Sequence, residues 1–162
     1  MALEIGFYPA EFHNTDSTSG AVGGAINSSA VLSATLNSFL PQGVSDYIGQ
    51  SDRLRFQKLF VKNTGTTTIN NPKIFLNNVK HVGQIKIATG ALTDSGTNAT
   101  GYPAGYSAGS FSEPIGIINA TSIGTGAITG SESIAIWIKQ TIGDNLPTET
   151  GASTTIGIIG EV

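Results

Sequence analysis

The sequence predicts a mainly β protein, an antiparallel β-sandwich or jelly-roll-like barrel with one short N-terminal helix. Three observations lead there. Apolar residues alternate at period two, as Ile134, Ile136 and Ile138 do against Ala135, Trp137 and Lys139. Turn-forming stretches rich in Gly, Ser, Thr and Asn separate these segments. Charged residues make up only 12% of the 162-residue chain, about half the share in an ordinary soluble domain.

The elements follow in order. Leu3–Tyr8 reads as a short strand. His13–Gly24 is polar and Gly-rich, and predicts an extended arm over about residues 9–27. Val31, Leu32, Thr35, Leu36 and Phe39 recur at helical spacing. Ser28 or Ser29 can cap that helix, and Pro41 lies just past its end. Leu54–Lys62 is a strand whose apolar phase slips near Gln57 and Lys58, which predicts a bulge there. Leu59 and Val61 share one face and Phe60 takes the other, so cover on both faces is expected. Asn63–Pro72 reads as a connection between antiparallel strands. Lys73–Leu76 and Val82–Ala88 follow, the latter with Ile85 and Ile87 alternating with Gln84 and Lys86. Residues 89–112, with Tyr102-Pro103-Ala104-Gly105-Tyr106, form a long loop of the kind that is functional or interfacial. Ile115–Ile118, Glu132–Ile142 and Thr154–Val162 supply the last strands. The length fits a single domain over 1–162, and no internal repeat is visible.

Composition excludes several classes. A hydrophobic content of 39% can fill a core, so the chain is not disordered by charge. Apolar runs such as Ile134–Ile138 fall far short of the ~20 residues of a spanning helix, so no membrane partner is expected. A pI near 5.2 argues against nucleic acid. With no Cys, disulfides, thiolate metal sites and thiol nucleophiles drop out together. No basic stretch followed by an apolar one opens the sequence, so no secretory signal is expected.

Catalytic motifs are scarce. His13 and His81 stand outside any recognisable motif, and neither a GxSxG elbow nor HExxH occurs. Asp94-Ser95-Gly96-Thr97 resembles the catalytic loop of aspartic proteases, in which two aspartates share a proton. Ile158-Ile159-Gly160 imitates the apolar segment behind that loop. However, Thr93 stands where that family has a buried apolar residue, and Asp94 opens a long loop of small residues. Asp94 and Asn98 alone do not make a Ca²⁺ site. The expectation is a protein that is not an enzyme and carries no cofactor and no metal.

The few charges are sorted. Residues 53–86 carry Arg53, Arg55, Lys58, Lys62, Lys73, Lys80 and Lys86 and no acid, whereas residues 1–52 carry five acids and no base. One reading spreads these bases over outward strand faces. The other makes them a basic face that meets an acidic face on a neighbouring subunit, where complementarity sets register. Under the second reading Arg53, Arg55, Lys58, Lys62, Tyr102, Tyr106 and Phe111 are the candidate subunit-interface residues.

One resemblance bears on function. Phe56-Gln57-Lys58-Leu59-Phe60-Val61-Lys62-Asn63-Thr64-Gly65, the stretch Thr66–Leu76 and Glu132-Ser133-Ile134-Ala135-Ile136-Trp137-Ile138 resemble a family of small tailed-bacteriophage virion proteins. The Gly-Gly-Ala-Ile and Asn-Ser-Phe-Leu-Pro segments fit the same pattern, which covers about residues 20–142. Gln57 replaces a common Arg, and Ser131 a common Gly. The resemblance implies a non-enzymatic virion structural protein, made in the bacterial host cytoplasm. The expected role is a capsid decoration or cement protein, a homo-oligomer (first guess a trimer) that bridges subunits of the major capsid protein. The alternatives are a tail or baseplate component, and a receptor- or carbohydrate-binding module with Tyr102, Tyr106 and Phe111 as its stacking platform.

Overall fold

The computed structural model describes residues 4–12, 21–32, 53–79, 82–96, 101–124, 126–142 and 154–162. They form a mainly β structure of two antiparallel sheets. Ten strands run in order: β1 (Ile5–Phe12), β2 (Val22–Ile26), β3 (Arg53–Asn63), β4 (Ile69–Asn77), β5 (Ile85–Gly90), β6 (Ser95–Gly96), β7 (Thr121–Ser122), β8 (Ala127–Ile128), β9 (Ser133–Ile142) and β10 (Thr155–Glu161). The first sheet has the order β5-β9-β3-β1-β2-β6. The second has β10-β4-β7, with β8 also on β4.

The main core lies between the sheets. Leu59, Val61, Ile85, Ile87, Ile136 and Ile138 of the first sheet meet Ile74 and Leu76 of β4, with Ile156 and Ile158 of β10 packed against them. These side chains alternate along each strand as the pleat requires. The opposite face of the first sheet is buried as well. Phe56, Ala88, Phe111, Trp137 and Val22 form one cluster there, and Tyr8, Ala10, Phe60 and Ala135 another. Cover on both faces explains why β9 reads as a near-continuous apolar run and why β3 carries buried residues on both of its faces.

That second cover comes from a curl in the sheet. β1 pairs with β3 at one end, while its other end pairs with β2 through an irregular register between Ala10 and Phe12. The irregularity turns β2 and β6 back over β3 and β9. Contact is closest at Gly23, where a Cβ would lie 2.7 Å from the Trp137 ring and 2.8 Å from the Asp94 carbonyl oxygen. Gly23 also has φ +93, a backbone region that favours glycine.

A second irregularity sits in β4. Asn70 pairs with Glu161 and Lys73 with Ile159, so Asn71 and Pro72 together oppose Gly160. Asn71 has φ 47 and its N–H donates to the Gly126 carbonyl at 2.7 Å. The extra residue returns Ile69 to the buried face, and the bulge accommodates a proline that could not donate to the ladder.

Five expectations are corrected. β3 and β9 pair in unbroken register from Arg53↔Ile142 to Lys62↔Ser133, so there is no bulge at Gln57 and Lys58. The phase slip arises because both faces are covered and Lys58 itself is buried. Ile115–Ile118 is not a strand; Ile115 makes one bridge to Leu76 and Ile117–Asn119 is a single 3-10 turn. The run is apolar without being buried, which misleads a pattern reading. The N-terminal helix does not begin at Val31 and Leu32, which are irregular, Leu32 donating its N–H to the Phe7 carbonyl. Residues 33–39 of that expectation lie outside the described residues. Within the expected arm, Val22–Ile26 is a sheet strand. Within the expected 89–112 loop, β5 runs on to Gly90 and Ser95–Gly96 pairs with β2.

The close approach at Gly23 is testable. Gly23→Ala is expected to destabilise the protein by about 1–3 kcal/mol or more, from overpacking and a disfavoured φ. The readout is a lower urea midpoint at unchanged slope. An unchanged midpoint would show that β2 has room to shift.

Candidate functional site

The centre of the covered face is a lysine. Lys58 lies on β3 between Phe56 and Phe60 and directly opposite Trp137 of β9. Its side chain is 0% exposed. The ammonium donates to the Gly24 carbonyl and to the Asp94 carbonyl, each at 2.9 Å, and faces Asp94 Oδ1 at 2.5 Å. These three oxygens match the three donors of an ammonium. Phe60 and Trp137 add aromatic faces, with Nζ 5.1 and 5.8 Å from their ring centroids.

Asp94 is held as fully. Its Oδ2 accepts from the Tyr106 hydroxyl at 2.7 Å, from Trp137 Nε1 at 3.0 Å and from the Ala91 N–H at 3.0 Å. Its backbone carbonyl also accepts from the Gly24 N–H at 2.9 Å. One residue thereby joins β2, β3, β9 and the segment carrying Tyr106. The side chain retains 16% exposure.

These contacts set the ionisation of the group. Burial pushes the Asp94 carboxyl up, but hydrogen bonds from Lys58, Tyr106, Trp137 and Ala91 outweigh it and hold it below the ordinary carboxylate value. Burial pulls Lys58 below the ordinary lysine value, and the hydrogen bond and charge of Asp94 oppose this without cancelling it. Tyr106 is pushed up to about 12, first by burial and then by its bond to Asp94.

The candidate interface residues fall into this setting unevenly. Arg55, Lys58 and Phe111 are buried within the chain. Tyr106 is half-buried, with its ring 6.0 Å from Phe111 and 6.2 Å from Trp137. Tyr102 is 36% exposed and stacks 4.9 Å from Phe56. Lys62 is half-buried, with Nζ 5.6 Å from the Tyr8 ring centroid. Arg53 opens β3, and its side chain lies outside the described residues, as do His13, His81 and Thr97. Lys58, Tyr106 and Phe111, candidates from a basic strand and from the long loop, thus share one buried neighbourhood within the chain. For Asp94 the sequence offers a protease-like tetrapeptide that its neighbours argue against, and no partner. Here that carboxylate is tied to Lys58 and to the donors of Tyr106, Trp137 and Ala91. The missed signal was a lysine in mid-strand between two phenylalanines, which requires a buried acid.

The described residues enclose small cavities. One of about 110 Å³ is lined by Ile74, Ile87, Ile123 and Ile136, and one of about 190 Å³ by Glu4, Asn63, Thr66 and Val162. Both are below the ~300 Å³ at which small-molecule sites begin. No family model, curated protein or solved structure is matched by this chain.

Two outcomes follow from the Lys58–Asp94 centre. Asp94→Ala strands a buried ammonium and is expected to lower stability by about 3–5 kcal/mol. Adding Lys58→Met to that variant should recover part of the loss, as read from urea midpoints. In the folded protein Tyr106 should be a late-ionising tyrosine, near pH 12, in an absorbance titration, and Tyr106→Phe should remove that step. Its folded pKa is raised, so its stabilisation is complete below the ordinary value of 10.0 and is lost as pH rises through about 12.

Proposed function

We propose that this chain is a non-enzymatic virion structural protein, a decoration or cement protein that stabilises a phage head by bridging capsid subunits as a small homo-oligomer. The jelly-roll-like reading of its fold belongs to the same proposal. The observation that carries it is an exposed apolar segment on a sparsely charged β body. Ile117 is 56% exposed and Ile118 95% exposed. Ile115 is anchored to β4 through its bridge to Leu76. The Glu113 carboxylate accepts from the Gly83 N–H at 2.7 Å, tying the turn that bears exposed Val82 to the start of this segment. Single exposed apolar residues are ordinary, but several on adjoining segments mark a contact surface.

The resemblance supports the same reading, because the strands that carry it, β3, β4 and β9, form the framework of both sheets. The glycan-binding alternative loses its platform. Phe111 is buried and the Tyr106 hydroxyl is bonded to Asp94, which leaves Tyr102 as the one well-exposed ring of the three.

Cryo-EM of particles from the encoding phage is the test. Density for this chain is expected on the head, and Ile117→Asp/Ile118→Asp particles should lose it and disrupt at lower temperature. Density on the tail, or no density in the particle, would overturn the head assignment.

A further inference from the structure

We propose that Lys58 and Asp94 condense into an intramolecular isopeptide bond joining Lys58 Nζ to Asp94 Cγ. The geometry places the two reactants together and keeps them there. Nζ sits 2.5 Å from Oδ1, and the lysine side chain is wholly buried. Such an arrangement replaces an encounter in solution by an oriented contact, for which effective molarities reach about 10⁵–10⁸ M. The backbone on both sides is fixed, Lys58 by its ladder to β9 and Asp94 by its bond to Gly24 and by the β2–β6 pairing next to it.

The surroundings also fit the chemistry. A lysine amine is a nucleophile once it is unprotonated, and a dry apolar setting favours that form. Here Phe60 and Trp137 flank the amine. Proton transfer from Nζ to Oδ1 across the short contact produces the amine and the carboxylic acid together. As Nζ attacks Cγ, negative charge develops on Oδ2. That oxygen already receives hydrogen bonds from Trp137 Nε1, the Tyr106 hydroxyl and the Ala91 N–H. Preorganised donors at the oxygen where charge develops are the usual means of stabilising such an intermediate.

The step balances without any further reactant. The C–Oδ1 bond breaks and the Nζ–Cγ bond forms. Of the three protons on Nζ, one stays on the amide nitrogen and two leave with Oδ1 as water. No electron is transferred to or from the protein. Asp94 Oδ1 is itself buried, so the water leaves past the partly exposed remainder of that side chain. The product retains the three hydrogen bonds on Oδ2 and one of the two that Nζ makes to the Gly24 and Asp94 carbonyls. It also removes two buried charges, whose desolvation opposes the ion pair.

The bond would tie β3 to the segment between β5 and β6. The test is the intact mass of the full chain, purified and denatured. The expected mass is lower than that of the sequence by one water, with a tryptic species in which the peptide containing Lys58 is joined to the one containing Asp94. Lys58→Arg retains the positive charge but cannot form this amide, and should show the full sequence mass. Full mass in the unsubstituted protein after prolonged incubation at neutral pH would overturn the proposal. So would a water loss confined to the Asp94 peptide, which marks a cyclic imide formed with its own backbone.

Discussion

The ammonium of Lys58 can lie inside this protein only if each of its protons meets an oxygen, because an unpaired charge in a dry interior costs several kcal/mol. Much of the local architecture follows from that requirement. Two of the oxygens are backbone carbonyls, of Gly24 and Asp94, and they come from segments far from β3 in sequence. The third is a carboxylate held in turn by Trp137, Tyr106 and Ala91. The lysine therefore fixes where β2 and the segment around Asp94 must sit. An apolar residue at 58 would fill the same space without specifying either.

The curl of the first sheet makes this arrangement possible. A flat sheet would leave the Phe56–Lys58–Phe60 face open to water, where a lysine needs no partner. The irregular β1–β2 pairing folds β2 over that face, and Gly23 lets the backbone reach the Trp137 ring. The same closure converts a surface position into a desolvated one. It also turns hydrogen bonds of ordinary length into strong constraints, since polar interactions strengthen when water is excluded. Curl, glycine and buried pair thus depend on one another.

The sequence made the long strands legible and left their closure hidden. β5 and β9 announce themselves through apolar alternation and β3 through its apolar and aromatic content, and the two-sided burial of β3 is visible in the opposition of Phe60 to Leu59 and Val61. β2 was not visible, because Val22-Gly23-Gly24-Ala25-Ile26 has the composition of a linker; its glycines serve close packing instead. The isoleucines at 115–118 misled in the opposite sense, since they look like a strand and lie outside the core. Asp94 was noticed for the wrong reason. Its neighbours Ser95 and Gly96 suggested a catalytic loop, whereas its role comes from Lys58, Trp137 and Tyr106, which lie 36, 43 and 12 residues away. Local motifs cannot report a partner set by tertiary pairing.

The scarcity of charge takes on a different meaning in this light. The chain has eight lysines and arginines, and Arg55, Lys58 and Lys139 are buried. Within the basic block at 53–86, Arg55 and Lys58 point into opposite covered sides of β3 and add nothing to an outward basic face. Among the described residues the exposed apolar side chains include Val82, Leu92, Ile117 and Ile118. Low surface charge favours association over solubility, and exposed isoleucine adds an apolar contribution to it. The proposed bridging role would draw on contacts of this kind, specified by shape and backbone approach more than by charge.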